Sequence, residues 1–151
     1  MTENIAISYI NSSSPKYGQV WELREEVLRK PIGLSLKNED LGWDNDDVMF
    51  IAEHNEKVIG CLMLHDIGNN VMKLRQMAVY NNWQGKGVGK ELVQAAEQFC
   101  FQNGYNKIAL HARKEALGFY QTLGYSIYGD EFTEVGIPHF AMEKQLSVLK
   151  Q

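Results

Sequence analysis

Gln84-Gly85-Lys86-Gly87-Val88-Gly89-Lys90 is the stretch with the most definite chemistry. An extended run, Met72 to Val79, leads into it, and a long amphipathic run, Val88 to Gln102, leads out. Alternating glycines let backbone N–H groups approach a ligand closely. A turn that opens a helix also offers the positive end of the helix dipole, so the stretch reads as an anion site. The bland alternative is a tight strand-to-helix turn with no ligand. Two nucleotide templates do not fit. Gly89-Lys90 is followed by Glu91, not Ser or Thr, and position 84 is not glycine, which excludes a P-loop. The spacing Gly85-x-Gly87-x-Gly89 differs from the dinucleotide fingerprint. A second stretch, Leu34 to Asp47, carries Glu39, Asp40, Asp44, Asp46 and Asp47 around Trp43. It reads as a solvated loop, or else as the wall of a site that prefers a cation.

The elements that must position these stretches follow from periodicity. Ile5 to Ile10 alternates, with Ile5, Ile7 and Tyr9 on one face, and predicts a strand. Ser12-Ser13-Ser14-Pro15 closes it and starts a helix from Lys16 to Leu28. Val20, Leu23, Val27 and Leu28 form its apolar stripe, with Trp21 and Arg24 flanking, and Pro31 and Gly33 stop it. Val48–His54 and Val58–His65 are β-rich runs joined by Asn55-Glu56-Lys57, and Gly68-Asn69-Asn70 turns into a strand from Val71 to Val79. These three strands predict an antiparallel meander before the glycine loop. Val88, Leu92, Ala95, Ala96 and Phe99 mark the core stripe of the next helix, which Asn103-Gly104 ends. Lys107–Ala112 is a strand, so strand, helix and strand form a βαβ unit with parallel pairing. Ala116–Leu123 is a short helix, and Tyr125–Tyr128 with Ile137–Lys144 form a closing hairpin. The fold class is α+β with a mixed sheet.

Bulk properties narrow the function classes. The chain has 151 residues, of which 44% are hydrophobic, which suits one domain over 1–151 with a real core. A net charge of −4 leaves no excess of Lys and Arg for a nucleic-acid backbone. Cys61 and Cys100 sit in apolar patterns and read as buried free thiols in a reducing cytosol. Met1-Thr2-Glu3-Asn4 has neither the basic flank nor the apolar core of a signal peptide. The apolar run Val58–Leu64, broken by His65, is too short to span a bilayer. The expectation is a cytoplasmic protein that engages neither membrane nor nucleic acid.

Two motifs in order point further. Met77-Ala78-Val79 followed by Gln84-Gly85-Lys86-Gly87-Val88-Gly89 fits a strand end followed by Gln/Arg-x-x-Gly-x-Gly/Ala. Ala116-Leu117-Gly118-Phe119-Tyr120-Gln121-Thr122-Leu123-Gly124-Tyr125 fits Ala-x-x-x-Tyr-x-x-x-Gly-aromatic. Through them the chain resembles the GNAT N-acetyltransferase superfamily over nearly its full length. The resemblance implies the acyl-coenzyme A N-acyltransferase fold, acetyl-coenzyme A as co-substrate, and no metal. It implies that the backbone of Gln84, Gly85, Lys86, Gly87, Val88, Gly89 and Lys90 holds the pyrophosphate. Met77 and Val79 would pair with the pantetheine arm as if it were a strand, where two strands splay and the small Ala78 and Ala112 leave room. Arg113, Ala116, Phe119 and Tyr120 complete the implied coenzyme contacts. Tyr120 matches the tyrosine that faces the coenzyme sulfur; a phenol there can protonate the departing thiolate, although a core aromatic is the plain alternative.

Two positions depart from the pattern. Arg113 stands where many members carry an asparagine, and Lys73-Leu74-Arg75-Gln76 has no carboxylate where many place a glutamate base. The base is therefore open among His65, His111, Glu134 and His139, with His139 in Ile137-Pro138-His139 singled out beside Tyr120 as a catalytic candidate. The expected reaction is direct attack by a primary amine of a small molecule or peptide on the thioester of acetyl-coenzyme A. The Leu23–Arg29 helix and the loop after it would form the acceptor side, and the acidic 39–47 segment favours a cationic acceptor. The alternative is an acyl-coenzyme A-binding sensor or interaction module without turnover. A homodimer is compatible with the resemblance, which fixes neither the acceptor nor the assembly.

Overall fold

The structure is a computed structural model and describes residues 4–147. Its strands are β1 (Ala6–Ile10), β2 (Val48–His54), β3 (Lys57–Asp66), β4 (Val71–Val79), β5 (Lys107–Arg113), β6 (Ser126–Glu134) and β7 (Ile137–Gln145). They form one mixed sheet in the order β1-β2-β3-β4-β5-β7-β6. Its α-helices are α1 (Tyr17–Arg24), α2 (Val88–Gln102) and α3 (Leu117–Thr122). The α+β class and the run of strands before the glycine loop are as the periodicity predicts. Contacts divide the chain into two interleaved compact units: residues up to His65 with Gln76–Ala96, and Asp66–Arg75 with residues from Glu97 onward.

In the first unit β1 and β2 pair antiparallel from Ala6↔Glu53 to Ile10↔Met49, and β2 and β3 from Val48↔Leu64 to His54↔Lys57. Asn55 and Glu56, both at positive φ, make the two-residue turn between β2 and β3. Val20 and Leu23 of α1 pack on Met49, Ile51, Cys61, Met63 and Ala78. Gly60 of β3 is where α2 comes closest: a Cβ there would lie 3.0 Å from Val88 and 3.1 Å from Leu92. That contact sets the start of α2, and so the loop before it, against the strands. The predicted first helix continues past α1 as a π-helical turn, Glu25–Arg29, and a 3-10 turn, Lys30–Ile32, before Gly33. Arg24 does not flank the stripe as its position suggests. It lies four residues from Val20 on the buried face and is fully buried.

In the second unit β4 and β5 pair parallel from Val71↔Lys107 to Leu74↔Leu110, the crossover predicted for the βαβ unit. β7 lies between β5 and β6 and pairs antiparallel with both. β6 is longer than predicted, because Gly129-Asp130-Glu131 are poor strand formers and hide its second half. The ladder shifts register between Tyr128 and Phe132, with Gly129 at φ +78°. Both cysteines are buried and free, and burial pushes each thiol up to about 12. Among the described residues no helix is long and apolar enough to cross a membrane.

Candidate active site

The glycine loop is built as its sequence suggests. Gly85 and Gly87 have φ +77° and +84°, a region closed to most side chains, and nothing lies within 4 Å of where a Cβ would stand on either. Gln84, Gly85, Lys86 and Gly87 are exposed, and α2 begins at Val88, buried beneath them. The Gln84 side chain ties the loop to the strand end: its Nε2 donates to the Val79 carbonyl at 2.9 Å and to Asn81 Oδ1 at 3.3 Å. The Lys86 ammonium lies 5.4 Å from the Trp83 ring centroid. Exposed amides, a helix start and exposed Lys86 and Lys90 make a cradle for an anion. The Ala78 side chain belongs to the core with Val20 and Leu23, so this residue offers a ligand its backbone alone.

Sequence reasoning missed the residue that shapes β4. Gln76 sits inside the strand at φ +56°, whereas the other non-glycine residues at positive φ occupy turns. Such a conformation costs about 1–3 kcal/mol and persists only where its surroundings hold it. Arg24 Nε donates to Gln76 Oε1 at 3.3 Å, and the Cys61 thiol donates to the Gln76 carbonyl at 3.4 Å. Arg24 Nη1 in turn donates to Asp44 Oδ2 at 2.8 Å, and the Tyr17 hydroxyl donates to the same oxygen. Burial and that bond push the Tyr17 phenol up to about 12. Among the described residues, Arg24 Nη2 is the one buried side-chain nitrogen or oxygen without a partner. A charge on the apolar face of a helix was the one signal for this network.

The acidic loop is solvated only in part, with Asp40 and Asp46 exposed. Asp44 and Asp47 are buried. Glu39 binds Arg29 through both carboxylate oxygens, and Asp40 Oδ1 accepts from the Gly42 amide at 2.9 Å. Asp47 Oδ1 meets His65 Nδ1 at 2.6 Å, and the Trp43 ring stacks on that imidazole at 3.8 Å. His65 is thus held within the first unit by this loop, whose Glu39, Asp44 and Asp47 carboxylates are engaged in its own bonds.

Tyr120 is buried in the second unit. The Leu123 and Tyr125 amides both donate to its carbonyl, closing α3 at Gly124. Its ring packs edge-on against Phe119 at 4.9 Å and Tyr125 at 5.7 Å. Tyr125 is itself anchored: its hydroxyl donates to buried Glu97 at 2.9 Å, and Lys144 donates to the other Glu97 oxygen at 2.9 Å. Burial raises the Tyr120 phenol well above its ordinary value. Its hydroxyl has no hydrogen-bond partner among the described residues. Ala112 is buried, and Arg113, Ala116 and Phe119 are half-buried.

The structure brings three of the four base candidates together. His111 of β5 meets Glu134 of β6, Nδ1 to Oε1, at 2.8 Å. His139 of β7 is buried, pairs across the ladder with Arg113 and Phe132, and holds Nε2 4.0 Å from Glu134 Oε2. His139 Nδ1 lies 3.0 Å from the Ile137 carbonyl. A carbonyl only accepts, so Nδ1 carries the proton and Nε2 of the neutral ring keeps its lone pair.

Comparison with known proteins bears on the family and the fold. Residues 24–146 match the family model described as Acetyltransferase (GNAT) domain. A Bacillus subtilis protein, named provisionally as an acetyltransferase, is 30% identical over 128 residues, covering 83% of this chain and 86% of that one. The uncharacterized protein YyaT of the same organism is 34% identical over 97 residues, 64% of this chain and 65% of its own length. A crystal structure from Lactobacillus plantarum, provisionally an N-acetyltransferase, superposes with a TM-score of 0.85 at 25% identity over 96% of this chain and all of that one. An aminoglycoside 6'-N-acetyltransferase complexed with coenzyme A shares the fold at a TM-score of 0.80 and 16% identity, covering 97% and 99% of the two chains. The chain belongs to the GNAT acetyltransferase family, enzymes that carry an acetyl group from acetyl-coenzyme A.

Proposed function

We propose that this protein acetylates a primary amine of a small molecule or peptide with acetyl-coenzyme A. The observation that carries the reading is the loop at the start of α2, where Gly85 and Gly87 take left-handed conformations beside exposed lysines. Its amides from Gly85 to Lys90 hold the pyrophosphate, while the Gln84 amide donates to the Asn81 carbonyl and ties the loop down. The backbone of Met77 and Val79, beyond the Gln76 kink, runs along the pantetheine arm as an added strand would. Backbone N–H groups beyond that kink stabilise the oxyanion.

His139 Nε2 takes a proton from the acceptor ammonium, and the free amine attacks the thioester carbon. The carbon–sulfur bond breaks, the thiolate takes the Tyr120 hydroxyl proton, and the phenolate recovers a proton as the new amide loses one. Burial suits Tyr120 to this role, because it keeps the phenol protonated through the neutral range. His139 suits the opposite role, because Ile137 fixes the tautomer that leaves Nε2 basic.

Free thiol released from acetyl-coenzyme A with a panel of primary amines tests the reading. Amine-dependent release is the expected result. Coenzyme binding with no release from any amine would replace it with an acyl-coenzyme A sensor.

A further inference from the structure

We propose that Glu134 and His139 form the seat for the acceptor ammonium, with His111 holding Glu134 in place. The observation is two acceptors, His139 Nε2 and Glu134 Oε2, close to each other and bonded to no donor among the described residues. The Ile137 carbonyl commits His139 Nδ1 as donor, so Nε2 of the neutral ring keeps its lone pair. Opposite it, at 4.0 Å, stands Glu134 Oε2. That is too long for a hydrogen bond between the two groups. A single nitrogen can bridge it by donating one bond of about 2.9 Å to each, with an angle at the nitrogen of roughly 87°, tighter than the tetrahedral angle, so that both bonds bend. Glu134 Oε1 is already bound by His111 Nδ1 at 2.8 Å, so the carboxylate is oriented and only Oε2 is turned toward the gap.

The surroundings select a cation with at least two N–H groups. Phe132 closes one side: its ring lies 6.0 Å from the His139 ring and 4.9 Å, edge-on, from the His111 ring. An aromatic wall and a carboxylate together favour an ammonium over a neutral donor. Lys73, on β4, is the built-in cation that feels Glu134; burial lowers its pKa, Glu134 acts against that, and Arg75 acts with it. The proposal rests on the acetyl-transfer reading and adds which residues receive the primary amine and in which form, an unhindered ammonium. A quaternary ammonium has no hydrogen to place in the gap. The seat also gives His139 its proton source, since the nitrogen it accepts from is the one Glu134 holds.

The test uses methylammonium, small enough to enter whatever the rest of the acceptor site requires, with tetramethylammonium as the ion of equal charge and no N–H. Histidine ring 1H–15N resonances are followed in the full chain without coenzyme, assigned with His139→Gln and His111→Gln. Methylammonium should move the His139 and His111 rings saturably and leave His54 and His65 in place. Tetramethylammonium should bind at least ten-fold more weakly. Glu134→Gln should weaken methylammonium at least ten-fold, and Glu134→Asp, which keeps the charge with a shorter reach, should fall between. With any amine that wild type acetylates, Glu134→Gln should raise the amine KM ten-fold or more and leave the acetyl-coenzyme A KM unchanged. Equal response to the two ions, or an undiminished response in Glu134→Gln, overturns the seat. Amine-dependent thiol release with an unmoved KM in Glu134→Gln also overturns it and leaves acetyl transfer standing. A methylammonium seat in a protein that releases no thiol has the reverse meaning.

Discussion

At the residue scale the contrast between Tyr120 and His139 matters most. Both are buried, and their surroundings differ in ways that fit the opposite roles proposed for them. The Tyr120 phenol lies in an apolar surround that disfavours phenolate, and its hydroxyl bonds to none of the described residues. His139 gives its one neutral-form proton to Ile137 and keeps a lone pair. Tyr120→Phe removes a single oxygen from an aromatic stack that Tyr125 and Phe119 otherwise preserve. It should lower kcat by about a hundred-fold, the lower end for a lost general acid, with acetyl-coenzyme A affinity within about two-fold. Steady-state rates at saturating amine together with calorimetric coenzyme titration would check this. An unchanged kcat would remove the acid role. The place of Tyr120 on a short helix was legible in the sequence because the residues that close that helix, Gly124 and Tyr125, are its neighbours in the chain. Arg24 was not: its helix position hinted at burial, but Asp44 and Gln76, its partners, lie 20 and 52 residues away.

At the element scale the β6–β7 hairpin repays attention, because it carries both Glu134 and His139. Glu134 pairs with Ile137 across a two-residue turn, Val135-Gly136, in which both residues have positive φ. Gly136 suits such a turn; Val135, at φ +47°, does not, because a β-branched side chain crowds its backbone there. Asparagine is at home in that position. Val135→Asn should therefore stabilise the protein by about 1 kcal/mol. The urea midpoint should rise at constant slope; a fall would mean that the exposed valine makes a contact worth more than its strain. The hairpin also shows where sequence reading stops. The Val71–Val79 strand and the Val88–Gln102 helix were legible to the residue because hydrophobic period and glycine punctuation are local. The meeting of His111, Glu134 and His139 was not, because it depends on β7 entering the sheet between β5 and β6. Nothing in a strand's own sequence names its neighbours.

At the scale of the whole molecule, coenzyme binding must appear as stability. A ligand that binds only the native state adds about 2.7 kcal/mol when present at a hundred times its Kd. For a chain of this length each kcal/mol moves the melting temperature by roughly 2–4 °C, so acetyl-coenzyme A should raise it by roughly 5–10 °C. The glycine loop makes the prediction specific. Gly87→Val places a Cβ at φ +84°, in space that is open in the protein and that the proposal gives to the pyrophosphate. The variant should lose most of the coenzyme-dependent rise even where its own melting temperature is little changed. Tyr120→Phe should keep the rise in full, because the role proposed for its oxygen is at the leaving thiolate and not at the pyrophosphate. The two variants thus separate holding the donor from using it. A rise that survives Gly87→Val would detach the loop from the coenzyme. No rise in wild type would mean that the chain keeps the family's fold without its donor, and both Tyr120 and the loop would then need another explanation.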